Sequence, residues 1–129
     1  MNILIFSRAN KGIPLFRDKK DLDRLHALIK AVNNNVQLKS RWWKDDDWMK
    51  NPALEIVDIL AYKLEKKSIT LFLRTDNEKH KTRYVLRLKT AYAMYYNRRH
   101  KHKGAIFVQG GDRVTIIPDN DVAKTKKLL

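Results

Sequence analysis

The sequence predicts a compact α+β domain over residues 1–129, with a mostly antiparallel sheet, two β-hairpins late in the chain and about three helices. Three observations lead there. At 129 residues the chain is long enough to bury a core of its own, and 43% of it is hydrophobic, near the globular norm. Apolar runs of strand character are interspersed with runs at helical spacing. In the second half, alternating runs come in pairs separated by short polar or glycine-rich links, as hairpins require.

Asn2 to Phe6 (NILIF) reads as a buried strand. Ser7 to Gly12 reads as a turn leading to a second extended piece, Ile13 to Phe16, which Pro14 would hold at a sheet edge. From Asp21 the period changes. Leu22, Leu25, Leu28, Ile29 and Val32 form one helical stripe, with Asp18 as N-cap and Asn33-Asn34-Asn35 as stop. His26 beside that stripe reads as a partly buried structural histidine. Val36 to Trp43 predicts a strand, broken by KDDDWMKN. Asn51-Pro52 then opens a second helix, because the Asn side chain caps free N–H groups and proline at the first helical position gives up only an orphaned donor. Ala53, Leu54, Val57, Leu60, Ala61 and Leu64 would make its face, and Lys66-Lys67 would complement its dipole.

Ser68 to Arg74 alternates, and after the loop TDNEKHK a run from Arg83 to Lys89 alternates again, which predicts the first hairpin. The alternation in RYVLRLK speaks against its competitor, one long helix from Asp76 onward. Helical spacing resumes from Thr90 to Lys103 through Ala91, Tyr92, Tyr95 and Arg99 and stops at Gly104. Ala105 to Gln109 and Arg113 to Ile117, joined by Gly110-Gly111-Asp112, predict the second hairpin. Pro118 ends it, and residues 119–129 read as a short capped helix or a basic tail.

The charge is the outstanding property. The chain carries 28 Lys and Arg against 14 Asp and Glu, a net +14. Self-repulsion on that scale opposes folding unless polyanions screen it, which points to nucleic acid before an anionic membrane surface or an acidic protein. The excess concentrates in residues 79–111, where nine Lys and Arg, three His and four Tyr stand without a single carboxylate. Tyrosines interleaved with cations suit bases to stack on and phosphates to neutralise. The predicted nucleic-acid surface, DNA- or RNA-binding, is Arg74, Lys81, Arg83, Arg87, Lys89, Tyr95, Tyr96, Arg98, Arg99, His100, Lys101, His102, Lys103 and Arg113. It would give affinity through phosphates rather than sequence choice.

The absence of cysteine excludes disulfides and Cys-based zinc sites, no apolar run reaches the length of a membrane span, and no leader pattern precedes NILIF. The expectation is a cytoplasmic, nucleic-acid-binding regulatory or accessory factor without cofactor or metal, and a binding protein in preference to an enzyme. His100-Lys101-His102 has the spacing of a metal pair on a strand, but the surrounding cations repel a metal. His, Lys, Arg and Tyr without carboxylates also compose a metal-independent ribonuclease, which is the enzymatic alternative. A third reading makes the protein a mobile-element-type inhibitor or adaptor, binding a protein partner through Trp43 and Trp48. The three Asp residues at 45–47 would hold Mg²⁺ at most weakly, and an exposed edge strand would allow a homodimer.

Overall fold

The strand on which the sheet is built is the first one, in a computed structural model that describes residues 1–33 and 57–129. β1 (Asn2–Arg8) pairs antiparallel with β3 (Ser68–Arg74) on one side and β4 (Arg113–Ile117) on the other, and β2 (Asp58–Leu64) adds beyond β3, giving the order β2-β3-β1-β4. Helix α1 (Lys19–Asn33) follows β1, and α2 (Glu78–His100) lies between β3 and β4. Among the described residues this β-α-β-β-α-β order is the ferredoxin-like arrangement. After β4 a short 3₁₀ turn, Asp119–Asp121, leads into α3 (Val122–Leu128).

Alternation explains the core. Ile3 and Ile5 of β1 and Ile69, Leu71 and Leu73 of β3 point to one face of the sheet. There they meet Leu25, Leu28 and Ile29 of α1 and Tyr84, Val85, Leu88, Ala91 and Tyr92 of α2. Both helices therefore cover the same face. They run antiparallel, since the Tyr84 hydroxyl near the start of α2 donates to the Ile29 carbonyl near the end of α1 at 3.0 Å.

The α+β class and the antiparallel sheet are as expected, but several elements are not. Residues 83–89 are no strand. They lie within a 23-residue helix whose buried positions, Tyr84, Val85, Leu88, Ala91, Tyr92, Tyr95 and Tyr96, keep strict helical spacing. The alternation in RYVLRLK is an accident of a short window, because Leu86 faces solvent at 63% exposure. Asn77 caps this helix by accepting from the Lys79 N–H at 2.8 Å. Its C-terminal left-handed residue is Lys101 at φ 52°, not Gly104.

The helix expected to run to Lys67 is, from Asp58, strand β2. Its register with β3 slips between Ile59 and Ala61, so Leu60 is an extra residue in a β-bulge. The bulge leaves Ile59 and Tyr62 packed against one core at a spacing of three, which imitates a helical period. The real hairpin is thus β2 to β3 across Lys66-Lys67. Ala105 to Gln109 forms no hairpin with β4: Phe107 makes an isolated bridge to Ala9, and β4 pairs with β1. Ile13 to Phe16 is loop, with Leu15 buried in the core. The expected strand at 36–43, the helix start at Asn51-Pro52, the Asp run at 45–47, and Trp43 and Trp48 lie outside the described residues.

Candidate nucleic-acid interface

Antiparallel helices over one face bring the start of α1 and the end of α2 together at one end of the sheet. The turn after β1 and the β2–β3 hairpin tip lie at the same end. The Ala9 N–H donates to the Lys67 carbonyl at 2.8 Å and the Leu15 N–H to the Lys66 carbonyl at 2.6 Å. Asn10 joins the segment after α2, its backbone N–H donating to the Ile106 carbonyl at 2.9 Å and its side chain to the Ala105 carbonyl at 2.8 Å. Three chain segments far apart in sequence are thereby fixed to one another.

Exposed cations crown this end. Arg8 closes β1, Lys11 follows in the turn, Arg17, Lys19 and Lys20 open α1, Lys66 and Lys67 form the hairpin tip, and Arg98, Lys101 and Lys103 surround the end of α2. Two of the acids among them, Asp18 and Asp21, are engaged by α2, while Glu65 at the hairpin tip is exposed, 4.0 Å from Lys63 Nζ. Asp21 is fully buried. It accepts from the Arg17 N–H at 3.0 Å, the Tyr95 hydroxyl at 2.9 Å and Arg99 Nη1 at 2.6 Å, with His100 Nε2 at 2.7 Å. Asp18 caps α1 by accepting from the Asp21 N–H at 3.1 Å and takes Arg99 in a two-pronged pair.

The electrostatics follow from these contacts. Burial pushes the Asp21 carboxyl up, but the Arg17 N–H, Arg99, His100 and Tyr95 outweigh it and hold the carboxyl below its ordinary 3.8. Asp18 is lowered as well, first by its hydrogen bond to Arg99 and then by the Asp21 N–H. Tyr95 is pushed up to about 12 by burial and by its bond to Asp21, so its hydroxyl stays neutral.

The residues singled out from sequence divide among several places. Arg98, Lys101, His102 and Lys103 belong to the basic end. Arg99 and His100 reach it but are committed to Asp18 and Asp21, with His100 only 11% exposed. Tyr95 and Tyr96 are buried and so are not stacking platforms as they stand; Tyr96 accepts from Arg17 Nε at 3.0 Å and packs beneath the rings of His100 and His102 at 4.7 and 5.8 Å. His102 Nδ1 lies 2.7 Å from Asn97 Oδ1. Lys81 lines a groove between α2 and β4, where Lys89 binds Asp112 at 2.6 Å. Arg113 crosses the Phe6 ring at 5.9 Å, and Arg74, at the opposite end of the sheet, donates to Asn2 at 3.0 Å. Arg83 and Arg87 lie on the first half of α2, where the rise of about 1.5 Å per residue puts Arg83 roughly 24 Å from Arg99.

Sequence reasoning missed Arg8, Lys11, Arg17, Lys19, Lys20, Lys66 and Lys67, since as singles and pairs outside the acid-free stretch they carry no local signal. The Asp18-x-x-Asp21 spacing before an apolar run was a legible cap. His26, as expected, is structural, with Nδ1 2.8 Å from the Tyr62 hydroxyl. Among the described residues no three His, Cys, Asp or Glu side chains gather as a metal site, and no helix is long and apolar enough to cross a membrane.

No protein-family model matches the chain, and no curated protein matches it by sequence. In fold it is similar to a crystal structure from Deinococcus radiodurans R1, a protein provisionally assigned as a transposase. The TM-score is 0.59 and the identity 13%, over 99% of this chain and 87% of that one. Such a likeness extends to the fold.

Proposed function

We propose that residues 1–129 form a single nucleic-acid-binding domain, a small cytoplasmic regulatory or accessory factor that holds phosphates at the basic end of the sheet. The observation that carries this reading is the convergence of exposed cations from residues 8–20, the β2–β3 hairpin tip and the end of α2 at one place, while Arg99 pairs with both Asp18 and Asp21. A surface that gathers an excess of like charge, with Asp21 buried and Asp18 paired to Arg99, is complementary to a polyanion. The fold likeness to a provisionally assigned transposase accords with a partner of this kind.

Fluorescence anisotropy on short single- and double-stranded DNA and RNA across a salt series tests it, with the strands run on a gel afterwards. Neutralising about six phosphates of duplex DNA lowers affinity roughly a thousandfold between about 50 and 200 mM salt. Weak binding indifferent to salt would remove the proposal, and cleavage of the RNA strands alone would move the protein to the ribonuclease class.

A further inference from the structure

Within the basic end lies a pocket of about 350 Å³ between the turn after β1 and the β2–β3 hairpin tip. We infer that it binds a nucleotide's terminal phosphate, a phosphomonoester with its attached sugar and base. The inference rests on the nucleic-acid reading above and adds a preference for ends.

The walls are fixed by backbone bonds. Besides the contacts of Ala9 and Leu15 to the hairpin tip, the Ile13 N–H donates to the Asn10 carbonyl at 3.0 Å, closing the turn on itself. The volume sits at the small end of the roughly 300–1,000 Å³ usual for small-molecule sites, suited to one nucleotide. Lys11, Lys66 and Lys67 supply three exposed amines, Ile13 and Pro14 supply apolar surface, and no acidic residue is among the described lining. Gly12, at φ +83°, leaves open space where another residue would carry a Cβ, so the turn can approach a ligand closely.

Charge makes the discrimination. A phosphomonoester carries about −1.5 to −2 at neutral pH, against one charge on an internal diester, and ammonium groups act on phosphate as point charges. Three of them around one site favour the end of a strand, and the apolar wall takes the sugar or base that follows.

The test is anisotropy on a labelled short single strand ending in a 5′-hydroxyl or a 5′-phosphate, with the wild-type chain and Lys66→Gln/Lys67→Gln. Wild type should bind the phosphorylated strand roughly tenfold more tightly. The double variant should lose that difference while still binding the hydroxyl strand with a reduced salt slope. Lys11→Gln repeats the comparison from the opposite wall, and thermal melting verifies that each variant is folded. Adenosine 5′-monophosphate as competitor separates the sources: displacement at the concentration of the phosphorylated strand assigns the pocket to free mononucleotides, and displacement only far above it assigns the pocket to strand ends. Equal affinity for both ends would overturn the inference and leave the nucleic-acid reading standing. Absence of salt-dependent binding to either strand would overturn both.

Discussion

Arg99 grips Asp18 through two parallel hydrogen bonds, Nη1 to Oδ1 at 2.6 Å and Nη2 to Oδ2 at 2.7 Å, and the same Nη1 reaches Asp21 Oδ1 at 2.6 Å. One guanidinium at the end of α2 thus closes the start of α1, against the helix-dipole ends that each charge complements. It also pairs with the buried Asp21 and the half-exposed Asp18 at the end where the exposed cations stand.

Asp21 is the residue whose loss should be felt most. Asp21→Asn keeps the volume but removes the charge that faces Arg99 and His100 and replaces one acceptor oxygen by a donor. Breaking a buried, hydrogen-bonded ion pair is strongly destabilising, and because Arg99 keeps Asp18 the cost should be about 2–3 kcal/mol. Urea denaturation measures it; a loss below about 0.5 kcal/mol, the scale of a surface change, would show that the network contributes little.

Acid should act through the same carboxylates. Asp21 and Asp18 both lie below the ordinary 3.8 in the folded chain, so their contribution is fully present above the unfolded-state value and disappears as the pH falls below it toward the folded values. Melting temperature should hold from neutrality to about pH 5 and then decline, more steeply in wild type than in Asp21→Asn. Parallel declines in the two proteins would place the acid sensitivity elsewhere.

Lys101 occupies the left-handed position at the end of α2, where a side chain is strained and glycine is not. Lys101→Gly should raise stability by about 0.5–1 kcal/mol and weaken nucleic-acid binding, lowering the salt slope by about one. A gain in melting temperature with unchanged binding would exclude Lys101 from the phosphate surface.

The two ends of the sheet should behave differently. Lys20→Gln with Lys103→Gln, at the basic end, should lower the salt slope by nearly two, whereas Lys124→Gln with Lys126→Gln, on α3 after β4, should change it by less than one. Equal effects would mean diffuse attraction to net charge rather than a located interface.

The sequence by itself determined the α+β class, the first strand, the first helix with its Asp18 cap, the β3 strand and the net charge of +14. Those follow from local period, capping chemistry and charge, which a single segment carries. Tertiary structure decided the rest. Strand β2 was hidden because the bulge at Leu60 gives it helical spacing, and α2 because seven of its residues happen to alternate. Both resolve only when β3 finds its second neighbour and the sheet finds its cover. The basic end was illegible for a related reason. Its cations come from three segments far apart in sequence, joined by contacts such as Ala9 to Lys67 and Arg99 to Asp18, and the stretch richest in charge spends Arg99 and His100 on the interior. Charge composition is a property of the chain, but which charges meet is a property of the fold.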